Sequence, residues 1–103
     1  MQMPAAFNSE VLTAPERIVS ETRADFRRTA LEFIEKVHAE QGASAAVDLS
    51  RTAEVDASGL GILVLVQKRA KELGVTLVLA RTPVQVRYLL TLTKLDHLFE
   101  FAD

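Results

Sequence analysis

Few residues of this chain have side chains suited to chemistry, and they are scattered. His38 and His97 are its only histidines, one late in a helical stretch and one in the final apolar tail. A histidine serves as general base only with a partner to hold its tautomer and a proton within reach, and neither has an evident carboxylate or thiol partner in that role. Asp56 and Ser58 do sit together, in Val55-Asp56-Ala57-Ser58-Gly59-Leu60-Gly61. With no histidine or lysine beside it, the hydroxyl lacks an activator. Ala57-Ser58-Gly59 also lacks the first glycine of a nucleophile elbow. Gly59-Leu60-Gly61 is too short for a dinucleotide fingerprint, and no P-loop lysine-serine pair occurs. Asp48, Glu54 and Asp56 do not follow the spacing of a calcium loop and read as solvated carboxylates. There is no cysteine for a thiolate site. The pattern predicts no enzyme, no metal and no cofactor.

What remains is recognition. Apolar residues carry the chain to Val55, the polar Asp56-Ala57-Ser58-Gly59 interrupts them, and Leu60 to Val66 resumes. This reads as a buried strand, a tight turn and a helix beginning near Ser58. A glycine inside a helix costs about 1 kcal/mol relative to alanine, so two of them near its start imply a need for bare backbone. In an α/β fold such a corner lies at the carboxyl end of a strand and the amino end of a helix, where open sheets place their binding sites. Asp56 there either caps the helix or meets a partner. Ser58 admits two readings: a plain helix cap, or a hydroxyl whose phosphorylation adds about −1.5 to −2 charges at the helix start and disturbs a docked partner.

The rest of the chain supports that corner. Phe7 to Thr13 holds one short strand, limited by Pro15, and residues 1–19 are the least legible part. Ser20 is a good N-cap for a helix that buries Phe26, Ala30, Phe33, Ile34 and Val37, leaves its charges in solvent and ends near Glu40. Ala45 to Leu49 is a strand, and Ala53-Glu54-Val55 extends it after a kink. The corner helix turns Leu60, Leu63, Val64 and Ala70 inward and ends at Gly74, a left-handed cap. Val75 to Ala80 is apolar and β-branched enough for a central strand covered on both sides. Thr82 and Pro83 open a third helix, N-cap and first residue, from Val84 to about Thr93, with Val86, Leu89, Leu90 and Thr93 inward. Alternating strands and helices predict one α/β domain over residues 1–103, a small mostly parallel or mixed β-sheet flanked by helices.

Bulk properties exclude further classes. A formal charge of −2 gives no basic surface of the kind nucleic acid needs. The longest apolar run is far short of the roughly 20 residues that span a bilayer, and Met1-Gln2-Met3-Pro4-Ala5-Ala6 does not resemble a signal peptide. A cytoplasmic protein is expected, without direct membrane insertion.

The corner carries a resemblance as well. Val47-Asp48-Leu49-Ser50 and then Val55-Asp56-Ala57-Ser58-Gly59-Leu60-Gly61-Ile62-Leu63 closely resemble the signature of STAS domains (sulphate transporter and anti-sigma factor antagonist). Lys68-Arg69-Ala70, Gly74 to Leu79, Pro83 to Leu90 and Leu95-Asp96-His97-Leu98-Phe99 agree with the family's later half. The similarity is strong from about Ala45 to Phe99 and weak before Ser20. It implies a domain that works by docking to other proteins, not by catalysis. In the antagonist branch the partner is an anti-sigma factor that is also a serine kinase, and phosphorylation of the hydroxyl directly after the motif aspartate ends binding. That position here is Ala57, so the usual switch is missing, and Ser58 stands one step on.

Three readings follow from the resemblance. The chain is an antagonist that stays competent to bind; or Ser58 has taken over as phosphate acceptor; or the chain is a small cytoplasmic STAS subunit that pairs with the ATPase of a lipid-transporting ABC system, a branch that Leu12 to Ile18 resembles. The resemblance places partner binding at Asp56, Ala57, Ser58, Gly59, Leu60 and Gly61, with Gln67, Lys68 and Lys71 on the exposed side of the helix. Gly59 and Gly61 would let a partner's backbone approach closely, and Gly59→Arg or Ser58→Glu is expected to abolish binding while leaving the fold intact. Two departures carry expectations. Lys94 replaces a common glycine, which makes a left-handed helix end costly. Many relatives continue past the point matching Asp103, which predicts an exposed apolar patch at Leu98, Phe99 and Phe101 and a homodimer through it.

Overall fold

A computed structural model describes residues 10–102 of the chain. Its elements run β1 (Glu10–Thr13), β2 (Arg17–Ile18), α1 (Arg23–Ala39), β3 (Ser44–Asp48), β4 (Glu54–Val55), α2 (Ala57–Glu72), β5 (Thr76–Ala80), α3 (Val84–Leu92), a short 3-10 helix (Asp96–Leu98) and β6 (Glu100–Ala102). The part of the first predicted strand from Phe7 to Ser9 lies outside the described residues.

Four strands form one sheet in the order β1-β3-β5-β6, every pair parallel. Strand order follows chain order, so successive right-handed crossovers place their helices on the same face. Leu12, Val47, Leu79 and Phe101 stand in one row across the sheet, and all four join the core with the buried residues of the helices. The next row, Val11, Ala46, Val78 and Glu100, points the other way. There Val11 is 58% exposed, and Ala46 and Val78 are only half-buried. The expectation of a central strand sealed on both sides is therefore corrected. Small and β-branched residues let a strand look uniformly apolar even where one face is thinly covered.

β4 does not prolong β3. It pairs in parallel with β2, Arg17 beside Glu54 and Ile18 beside Val55, as a separate two-stranded sheet. Ladder bonds hold so short a pair weakly. Its anchors are the fully buried side chain of Ile18, worth about 1.5–3 kcal/mol, and the carbonyl of Glu16, which accepts from the amides of Ala53 and Glu54.

The three long helices end alike. Gln41, Gly74 and Lys94 each adopt a positive φ just past the cap, and in each case the next amide reaches back: Gly42 to Val37, Val75 to Ala70, Leu95 to Leu90. This double closure satisfies carbonyls that a helix end would otherwise leave open. Lys94 adopts the left-handed conformation despite its side chain, contrary to the expectation of a different ending. The two bonds its turn makes and the packing of Leu95 on the core outweigh a cost of about 1–2 kcal/mol.

Helix starts differ more from the expectations. Thr22, not Ser20, precedes α1, and its hydroxyl accepts from the amide of Val19 and donates to the carbonyl of Arg17, binding the loop before the helix rather than capping it. Pro83 occupies the cap position of α3, and the Thr82 hydroxyl is buried without a hydrogen-bond partner among the described residues. The presumed apolar patch at the end of the chain is closed: Phe99 is 7% exposed, Leu98 and Phe101 are half-buried, and the Arg87 guanidinium lies 4.1 Å from the centre of the Phe101 ring.

Candidate functional site

Asp56 organises the corner. Its backbone is extended, and its Oδ1 accepts from the amide of Gly59 at 3.0 Å, which makes it the cap of α2. Its other oxygen, Oδ2, accepts from the backbone amide of Ser20 at 3.0 Å. One carboxylate thus ties the start of α2 to the loop that leads into α1. The amides of Gly59 and Ser20 hold its pKa below the usual carboxylate range. Ser58 does not cap; it sits second in the helix.

Directly behind that turn lies β2. The Asp56 amide donates to the Ile18 carbonyl at 3.3 Å. A Cβ placed on Gly59 would lie 2.0 Å from the same carbonyl oxygen and 2.9 Å from Val55 Cγ1. Gly59 is the point where a helix presses on a strand with no room for a methyl group. It and Leu60 are buried, which corrects their assignment as accessible contacts. It also corrects the expectation that Gly59→Arg leaves the fold intact. The sequence held the sign of this: Gly59 falls on the buried stripe of Leu63, Val66 and Ala70.

The outward side of the same turn is different. Ala57 and Gly61 are exposed and Ser58 is half-exposed. A Cβ on Gly61 would meet nothing within 4 Å. Lys68 and Lys71 are exposed further along α2. Gln67 is not an open contact, since its amide donates to the Leu98 carbonyl at 2.7 Å and its Oε1 is buried.

Two residues read from sequence only as solvated charge belong here. Arg23 and Arg27 of α1 border a shallow groove with Ser58, Gly61, Ile62 and Leu65 of α2. The helices run side by side in the same sense: their N-terminal halves meet at this groove, and further on Arg69 pairs with Glu35 at 3.2 Å. Parallel crossovers bring the N-termini of successive helices to one end of the sheet, a signal that could have located the pair.

Asp48, expected to be solvated, is buried at the carboxyl end of β3. Burial alone would raise its pKa. The Ser50 amide, donating to Oδ1 at 2.8 Å, and the Arg81 guanidinium on Oδ2 overcome this and lower it. Arg81 reaches it from a left-handed backbone, φ 51°. Both histidines are exposed, and His38, in the last turn of α1, lies at the far end of that helix from Asp56. Among the described residues, no group of three or more histidine, aspartate or glutamate side chains could hold a metal, and no helix is long and apolar enough to cross a membrane.

A family model described as "Mlab, STAS domain" matches residues 1–100. The chain belongs to the STAS domain family. Solved structures share the fold of this STAS domain at low identity. A sulfate transporter family protein from Wolinella succinogenes superposes with a TM-score of 0.78 and 18% identity, covering 100% of this chain and 81% of that one. An anti-sigma-factor antagonist (STAS) domain protein from Planctomyces limnophilus gives 0.74 and 21%, covering 90% and 80%. The anti-sigma factor antagonist SpoIIAA in its unphosphorylated form gives 0.60 and 10%, covering 90% and 76%. No curated protein sequence matches the chain. In this STAS domain the corner is a half-open structure, its inner side packed on β2 and its outer side bare.

Proposed function

We propose that this STAS domain is a cytoplasmic, non-enzymatic regulator that docks a partner protein on the outer side of the Asp56–Gly61 corner, with Lys68 and Lys71 at the edge. The observation that carries the reading is Gly61: an exposed glycine inside a helix, with open space where a side chain would stand. Such a residue costs stability and gains nothing within the domain, whereas a partner's backbone can approach it closely. Asp56 shapes this surface, each of its oxygens holding one of the loops that form it.

The partner is an anti-sigma factor of the serine-kinase type, and the domain acts as its antagonist. Ala57 carries no hydroxyl, so the domain stays competent to bind unless Ser58 is modified. A phosphate on Ser58 would stand at the start of α2, on the surface to be docked. The alternative is a subunit held on the ATPase of an ABC lipid transporter. Ala57 favours it to this extent, that a permanently docked subunit needs no phosphate switch.

Affinity purification of the tagged chain, followed by mass spectrometry, separates the two partners and reads any phosphate on Ser58. Ala57→Arg places a long cation on the exposed first residue of α2. It should abolish capture of that partner and leave the circular dichroism and melting curve unchanged. Undiminished capture would move the docking surface elsewhere.

A further inference from the structure

The groove between the N-terminal halves of α1 and α2 has a chemistry of its own. It is lined by Arg23, Ala24 and Arg27 of α1 and by Ser58, Gly61, Ile62 and Leu65 of α2. Among the described residues no carboxylate lines it, in a chain whose net charge is −2. Neighbouring cations are satisfied: Arg28 pairs with Asp25 at 3.5 Å and Glu32 at 3.9 Å, and Arg69 with Glu35 and Glu72, each at 3.2 Å. Arg23 and Arg27 have no ion pair or side-chain hydrogen bond among the described residues.

Their placement is also unfavourable within the free domain. Arg23 is the first residue of α1, where the helix dipole disfavours a cation. Arg27 follows four residues later, so two like charges share one side of the helix. The start of α2 adds further positive potential across the groove. These costs converge on one apolar groove; Asp56 at the start of α2 and Asp25 in the first turn of α1 temper the helix dipoles, but neither lines the groove. A bound carboxylate would turn each of them into attraction, and guanidinium groups can hold carboxylates in two-pronged fashion.

We infer that this groove receives an acidic segment of the partner protein, with an aliphatic side chain seated on Ile62 and Leu65 and carboxylates meeting Arg23 and Arg27. This rests on the docking reading above and deepens it, since the groove opens onto the Ser58–Gly61 side of the corner.

The test uses the full chain carrying a photo-crosslinking benzoylphenylalanine in place of Leu65, irradiated in the cells that make the protein. The peptide joined to it is sequenced and then synthesised as the probe for titration calorimetry. Expected is a peptide rich in Asp and Glu. Its affinity should fall about tenfold or more in Arg23→Glu/Arg27→Glu, recover in part in Arg23→Lys/Arg27→Lys, and weaken with added salt. A peptide without carboxylates, or equal affinity for wild type and the charge-reversed variant, overturns the inference. If the reversal has no effect while Ala57→Arg removes binding, the docking reading stands and the acidic segment alone is lost. If neither variant alters binding, both fall. Binding to vesicles of anionic phospholipid that depends on the arginines, in the absence of any peptide crosslink, would replace the protein partner by a membrane.

Discussion

Gly59 and Gly61 lie two residues apart on α2, and two residues carry a helix through about 200°, so they face opposite ways. A methyl group on Gly59 would run into the Ile18 carbonyl; one on Gly61 would meet open space. Both glycines weaken the helix, but for different reasons. The inner one lets the backbone of α2 close on β2, and that contact positions the turn. The outer one serves nothing inside the domain. The corner therefore has an architectural side and a free side, and Asp56 joins them by gripping the Ser20 loop with one oxygen and the helix start with the other. A short motif can be dense in small polar residues because it builds a surface and offers one at once.

The largest expected effect breaks the inner side. Gly59→Ala must displace Ile18 or shift α2, and Ile18 is wholly buried. The loss of stability should reach or exceed the roughly 1–3 kcal/mol of an overpacked core site, read as a lower midpoint in urea. A midpoint equal to that of the wild type would mean that α2 does not press on β2 as described.

Next in size is the link between the two sides. Asp56→Ala removes the acceptor for two amides, so exchange of the Ser20 and Gly59 amide hydrogens should accelerate together. Protection lost at Gly59 alone would leave a cap but no bridge. The pH dependence has a definite sign. Because the folded-state pKa of Asp56 is lowered, its stabilising contribution is complete above the unfolded value of about 3.9 and is lost as pH falls through the lower folded value. Asp48, also lowered, contributes in the same sense. Acid unfolding of Asp56→Ala should accordingly depend less steeply on pH than that of the wild type, measured as urea midpoint against pH.

Features governed by neighbouring residues were legible in the sequence. The span of α2, the left-handed Gly74 and the inward Val86 and Leu90 follow from periodicity and cap chemistry, and the STAS signature located the corner. Features governed by distant partners were not. Glu54–Val55 reads as more of β3 until Arg17–Ile18 is known to lie beside it. Asp48 reads as solvated until Arg81 arrives from the end of β5. Phe99 and Phe101 read as an exposed tail until β6 is seen to add to the sheet beside β5. Arg23 and Arg27 are indistinguishable from any solvated face until α2 lies next to them. Gly59 was within reach, since its place on the Leu63 and Val66 stripe points it inward; the expectation that glycine means access hid this.

The smallest effect concerns the outer side and separates stability from binding. Gly61→Ala adds a methyl group to an exposed helical position with open space around it, so the domain should gain up to about 1 kcal/mol from reduced backbone entropy in the unfolded chain. If close approach of a partner's backbone is what the glycine serves, affinity for the captured partner should fall in the same variant. Stability and binding then move in opposite directions from a single methyl group. An overpacked or distorted helix would lower both, and a bystander position would raise stability and leave affinity alone. Only a surface kept bare for contact produces the divergence, and a urea midpoint with a binding isotherm on the same preparation measures it.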